Sequence, residues 1–321
     1  MDYTFINPIS SVNYNNYMRY TMKKNIIVYF VILFLILLLS IGSIKSNRII
    51  KDYMNKDIES NSEICKNNNI DDLTEEDKYY CEALDKNIKQ GSFFYYYRYL
   101  LGTGINKIII FYLLPLVILY PILYSLNLEY NDEYIKKYLE NHKYKSYVKR
   151  ILLKSYKYIF LVIFILVIYG LISLKMSNFN YNPLMDIGLG QLGSNMLSFY
   201  TNYKTYIYYF LIIIFNTAAI INIGLVLLKN IKSYKKCILI SCIINYLLNY
   251  FITIFVGMTL LKQFNVVFEN CTMQDIYTWF IIQDGRVLLI INIILFIVTF
   301  IYFAYSYKSR ESFILRCQML D

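Results

Sequence analysis

The chain has 321 residues, 57% of them hydrophobic, and a mean hydropathy of +0.40. Together with several apolar runs of about 20 residues, this composition belongs to a membrane protein rather than a soluble domain. The net charge of +10 is scattered between those runs, so the positive-inside rule and anionic lipid headgroups account for it and nucleic acid does not. A single histidine, His142, and six cysteines without CxxC spacing leave no Cys/His zinc site. No HExxH, no Ser–His–Asp set and no phosphate loop occurs, so the chain reads as a non-enzyme that does not hydrolyse ATP alone. The excess of Ile, Asn, Lys and Tyr runs throughout and matches the base bias of a low-GC bacterium, so Tyr and Asn counts carry no functional weight.

Residues 1–24 are polar, with Arg19, Lys23 and Lys24 just before the first apolar run. The lead is long and no small-residue cleavage site follows the run, which predicts an uncleaved first membrane helix over 25–43. Residues 44–106 form the longest polar stretch, with acids and bases nearly balanced, and a long loop of this kind translocates regardless of charge. Thr74 followed by Glu75, Glu76 and Asp77 predicts a capped helix start. Cys65 and Cys81 are this loop's two cysteines. Outside the cell they are candidates for a disulfide pinning a small helical cap, with two free thiols as the alternative.

The second membrane helix is expected over 107–126 and carries Pro115 and Pro121, which predict a bend. Residues 127–157 follow as a polar, helix-compatible segment holding eight Lys and Arg, so it stays in the cytoplasm. A third helix is expected over 158–174. Its outer loop, 175–206, contains Gly188, Gly190 and Gly193 in a G-x-G-x-x-G pattern. No strand precedes it and no acid follows about 20 residues on, so it is read as a flexible loop and not a dinucleotide site.

The fourth helix spans 207–228 and includes Asn216 and Thr217; a short basic loop, 229–236, leads to the fifth, over 237–261. There Asn245 and Asn249 share one face at i, i+4 spacing. Intramembrane amides of this kind commonly bond between helices, at about 1 kcal/mol each, and these four residues are also the candidates for a substrate path. Residues 262–286 alternate apolar and polar positions and read as an amphipathic outer hairpin, with Trp279 as its interfacial anchor. The sixth helix, over 287–307, runs into a basic tail, 308–321.

The segments assigned to the inside hold 18 Lys and Arg, against 4 in the two short outer loops. The expectation is therefore an all-α polytopic protein of the bacterial plasma membrane. It has six transmembrane helices, cytoplasmic N- and C-termini and a small extracytoplasmic helical cap between helices 1 and 2. No helix interior contains Asp, Glu, Lys, Arg or His. Ion-driven transporters and intramembrane hydrolases keep such groups because they use them. This interior has none, so its energy would come from another chain.

In that light the segment after helix 2 becomes specific. Glu129 and Glu133 open it, YIKKYLENH supplies a helix from Tyr134 through Tyr138 to His142, and SYVKRILLK runs from Ser146 to Lys154. This resembles the cytoplasmic segment of permeases of the type-2 ATP-binding-cassette exporters: an acidic residue, a short helix, Ser-Arg, an aliphatic stretch and Gly-Lys. Tyr147 stands where Arg is common and Leu153 where Gly is common, and the motif covers about 30 residues. The resemblance implies a permease subunit that pairs with a second permease, identical or different, and is driven by a separate ATPase subunit that holds the ATP; the chain itself holds no cofactor. Glu129, Glu133, Tyr134, Tyr138, Lys145 and Lys154 would carry the coupling. An uncharged path implies an amphipathic or hydrophobic cargo such as an antimicrobial peptide, lipid or drug. The alternative is an ATPase-independent channel or a sensor whose 44–106 loop binds a ligand.

Overall fold

A computed structural model describes residues 34, 52, 55–67, 73–102, 114–131, 135, 139, 143–189, 203–231, 233–251, 285–311 and 313–314. All of their regular structure is helical, with no strand among the described residues. In chain order these are α1 Ile64–Asn67, α2 Glu75–Asp85, α3 Phe93–Gly102, α4 Leu114–Asn131, α5 Tyr144–Tyr156, α6 Ile159–Met176, α7 Leu184–Gly188, α8 Tyr203–Asn230, α9 Tyr234–Phe251 and α10 Gly285–Ser306. The segment 1–24, the first span save Phe34, the start of the second, the end of the fifth and the hairpin around Trp279 lie outside the described residues.

Three stretches are long and apolar enough to cross a membrane: Tyr144–Met176, Ile207–Asn230 and Leu289–Ser306. At 1.5 Å per residue, the 24 residues of the second reach past a hydrocarbon core of about 30 Å. The chain is a membrane protein by this measure. The outward faces agree: Phe164 and Leu171 on α6, Ile243 and Leu247 on α9, and Ile294 and Ile301 on α10 are all exposed. Large apolar side chains repeated on the outside of apolar helices suit lipid and not water.

The central helix is α8, buried over most of its length through Ile212, Ile213, Ile220, Ile221, Leu225 and Leu228. Its most extensive partner is α10, with α9 and α4 also against it. Lipid supplies no hydrophobic force between such helices, so close packing and interhelical hydrogen bonds must hold them. Gly224 illustrates the first: a Cβ there would meet Leu119 of α4 at 2.8 Å. Within α4, Pro121 lies inside the helix.

On the opposite side of the polypeptide's route, α1, α2 and α7 build a small cap around Ile58, Tyr80, Ala83, Leu184 and Met185. Cys65 and Cys81 are joined in a disulfide that ties α1 to α2. Thr74 is the N-cap of α2, accepting from the Asp77 N–H, with three acids in the first turn. The cap is larger than residues 44–106 alone predict, because α7 from the 175–206 loop is one of its walls. Gly188 makes that wall possible: a Cβ there would lie 2.5 Å from the Tyr80 backbone. The first glycine of the G-x-G-x-x-G pattern is thus a packing device. A second difference concerns α3, assigned to the outer loop from its place in the chain. Its Tyr96, Tyr97 and Leu100 are buried, and it leans on the apolar helix α6.

Candidate coupling site

The second span does not stop at residue 126. Helix α4 continues through Leu128, Glu129 and Tyr130 to Asn131, carrying a carboxylate and a phenol beyond the apolar stretch. Both find partners there, which is why the helix continues. Glu129 is 1% exposed; its Oε1 accepts from Lys154 Nζ at 2.5 Å and its Oε2 from Arg150 Nη2 at 3.2 Å. Arg150 and Lys154 are four apart on α5 and so share a face. A buried carboxylate held by two cations is costly to disrupt, because removing one partner strands the others in low dielectric.

Tyr130 lies one residue on. Its hydroxyl meets that of Tyr307 at 2.9 Å, and Tyr307 donates to the Leu225 carbonyl of α8 at 2.9 Å. Phe313, from the tail, is fully buried among Tyr130, Tyr144, Tyr147 and Tyr307, with ring centroids 5.1 to 5.9 Å away. Arg310 donates to the Leu139 carbonyl at 3.3 Å. The tail is therefore part of the site, fastening the segment after α4 to the ends of α8 and α10. Burial of the Phe313 ring alone is worth about 2 kcal/mol on area grounds.

Helix α5 is amphipathic about this contact. Tyr147, Ile151 and Ser155 are buried at steps of four, whereas Lys145, Lys149 and Leu153 are exposed at the same steps. Only a turn at Lys157 and Tyr158 separates α5 from α6, and residues 144–176 form one 33-residue stretch. The exposed face of α5 is thus two residues removed from the start of α6.

Among the residues singled out from sequence, Glu129 and Lys154 are brought together, with each other. Glu129 faces the interior, and its carboxylate is engaged by Arg150 and Lys154. Lys145 is exposed. Glu133, Tyr134 and Tyr138 lie outside the described residues; within that helix Ile135 and Leu139 are helical and buried, four apart, so one of its faces is anchored. Arg150 and Phe313 were missed. Arg150 was legible as the residue one turn before Lys154, but nothing local marks Phe313, whose partners are distant in sequence.

The proposed path residues divide between α8 and α9. Asn216 is buried and donates to Asn292 Oδ1 of α10 at 3.1 Å. Further along, Asn222 donates to Thr299 Oγ1 at 3.4 Å and accepts from the Tyr156 hydroxyl at 2.7 Å. Asn216 is thus one rung of a polar seam joining α8 to α10. Thr217 is buried, and its hydroxyl has no hydrogen-bond partner among the described residues. Asn245 is buried on α9, and the Asn249 side chain lies outside the described residues. Asn292 and Thr299 carried the same signal as Asn216, polar residues inside an apolar run, and were passed over.

No protein-family model, no curated protein and no solved structure matches this chain. The functional reading rests on its own geometry.

Proposed function

We propose that this chain is the membrane-spanning permease subunit of an ATP-driven exporter of the type-2 ATP-binding-cassette kind, coupled through residues 127–157 to a separate ATPase subunit. The supporting observation is mechanical. Helix α5 presents Lys145, Lys149 and Leu153 to the outside, is bolted to α4 through Glu129, and runs almost without a break into α6. A partner that moves α5 therefore tilts α4 and α6 together.

Glu129 belongs to the internal bolt, so the groups that would meet an acidic ATPase surface are Lys145 and Lys149, with the 134–142 helix beside them. Six membrane helices with both ends in the cytoplasm complete the reading. The distribution of Lys and Arg supports it, and so does the Cys65–Cys81 disulfide, which belongs on an oxidising, extracytoplasmic face. Two permeases, identical or different, would enclose an uncharged path for an amphipathic or hydrophobic cargo.

The test is co-purification. Full-length protein from its own host is expected to bring down an ATPase subunit, and Lys145→Glu with Lys149→Glu to weaken that recovery without lowering thermal stability. If no ATPase is recovered, or deletion of Tyr134–His142 leaves transport intact, the reading fails.

A further inference from the structure

At the ends of α8 and α10 lies an open cleft of about 450 Å³, lined by Lys229, Lys308, Tyr302, Tyr305, Ser306 and Ser309 among others. We infer that this cleft binds the headgroup of an anionic phospholipid whose acyl chains lie along α10. The inference is independent of the exporter reading, since it concerns the membrane around the protein and not a cargo.

Charge comes first. Lys229 is 8% exposed; its ammonium donates to the Ser306 carbonyl and lies 5.6 Å from the centre of the Tyr307 ring. It is a fixed positive charge in the cleft floor. Lys308 is exposed on the other side and makes no ion pair among the described residues; the nearest acid in sequence, Glu311, is exposed. Two ammonium groups beside serine hydroxyls are the donor set a phosphodiester takes. Basic pockets between membrane helices are built for lipid headgroups in this way.

The apolar side comes second. Ile290, Ile294, Ile297 and Ile301 are exposed along α10 at steps of three and four, so they form one stripe. That stripe runs straight into Tyr302 and Tyr305, both exposed and both lining the cleft. Tyrosine at the end of an apolar stripe marks the headgroup level. Apolar stripe, aromatic boundary and cationic cleft therefore follow one another along α10 and its end, in the order of a phospholipid's own parts. Capping of the α10 C-terminus explains Lys229 on its own. It does not explain Lys308 or the two outward tyrosines.

The test uses the full chain in detergent, titrated with phosphatidylglycerol or phosphatidylcholine of identical acyl chains, with retained lipid read by native mass spectrometry. Phosphatidylglycerol is expected to bind roughly twentyfold more tightly than phosphatidylcholine. Lys308→Gln should cut that affinity about fivefold, Lys308→Arg should restore it, and Lys235→Gln, exposed on α9 outside the cleft, should change nothing. Lys308 is chosen because its side chain is exposed and makes no hydrogen bond or ion pair among the described residues, whereas Lys229 also caps α10. Equal retention of the two lipids, or unchanged retention in Lys308→Gln, overturns the proposal. So does displacement of the lipid by equimolar glycerol phosphate, which would make this a soluble-anion site; resistance to that displacement supports it.

Discussion

Among the described residues two carboxylates are buried, one at the end of α4 and one in the cap, and the protein treats them in opposite ways. Glu129, at the end of α4, is 1% exposed and sits between Arg150 and Lys154. Asp186, in the cap, is fully buried and has no cation paired with it among the described residues; it accepts the Ser92 N–H through both oxygens, at 2.9 and 3.2 Å. Around it residues 90–93 and 177–180 are joined, among the described residues, by neutral bonds, the Phe93 N–H to the Asn180 carbonyl and the Gln90 amide to the Ser177 carbonyl. Burial pushes the Asp186 carboxyl up to about 7, against the pull of its Ser92 hydrogen bonds. The contact between the end of α4 and α5, the elbow of the molecule, is thus fixed by charge, and the cap by a disulfide and neutral hydrogen bonds around one acid.

Removing the charge from the elbow should have the largest effect. Glu129→Leu leaves Arg150 and Lys154 facing each other without an acid, and the expected loss is about 3 kcal/mol. Melting in detergent measures it. The triple variant with Arg150→Met and Lys154→Met should recover most of the loss, because the cost lies in stranded charge and not in missing contact. If the triple variant is no better than the single one, the elbow is held by packing and the contrast with the cap dissolves.

The cap should respond to reduction and the elbow should not. Cys65 and Cys81 are 16 residues apart, and a disulfide closing such a loop contributes about 3 kcal/mol. Cys65→Ser, or a reductant, is expected to speed hydrogen exchange in α1 and α2 while leaving α5 unchanged. Thiol labelling of the untreated protein checks the premise: Cys65 and Cys81 should resist it until reductant is added.

The way these regions could be read from sequence differs just as much. The cap's disulfide pair, the Thr74 N-cap and the acidic first turn of α2 were visible, because each is a local pattern with a local cause. Asp186 was not: it stands in α7, within a segment read from sequence as a flexible loop, and its burial depends on α2 and the start of α3 arriving from far along the chain. For the elbow, the Lys and Arg pointed to orientation and the glutamates to an outward-facing role. Nothing within one helix indicates that Glu129 turns inward to meet α5. Helix ends moved for the same reason, α4 extending to Asn131 where its polar residues find tertiary partners.

A pH titration separates the two carboxylates more finely. The native pKa of Asp186, about 7, lies above the unfolded value near 3.8. Between roughly pH 4 and 7 the native cap therefore holds this proton better than the unfolded chain does. The stability from Asp186 is fully present at low pH and is lost as pH rises toward 7. Opening of the α3 start, read by hydrogen exchange at Ser92 and Phe93 and corrected for intrinsic rates, should increase by up to about tenfold per pH unit in that window. Asp186→Asn should flatten the profile, while the Glu129→Leu variant should keep it.

The smallest effect belongs to the seam inside the bundle, where neither strategy is used. Asn216 donates an amide hydrogen bond to Asn292 in the largely apolar contact between α8 and α10. Asn216→Leu together with Asn292→Leu should cost under about 1 kcal/mol, because interhelical polar bonds in membranes average about 0.6 kcal/mol and both partners are removed together. Asn216→Leu alone should cost more than the pair, since it withdraws one partner from the Asn292 amide, which stays buried. Detergent melts of the three variants order these losses. A transport defect in the double variant with unchanged melting would instead give the seam a part in the cargo's route. In that case Asn216 and Asn292 would be exchanging their bond for contacts with cargo, a role for which an uncharged and weakly bonded pair is better suited than the locked carboxylate at the elbow.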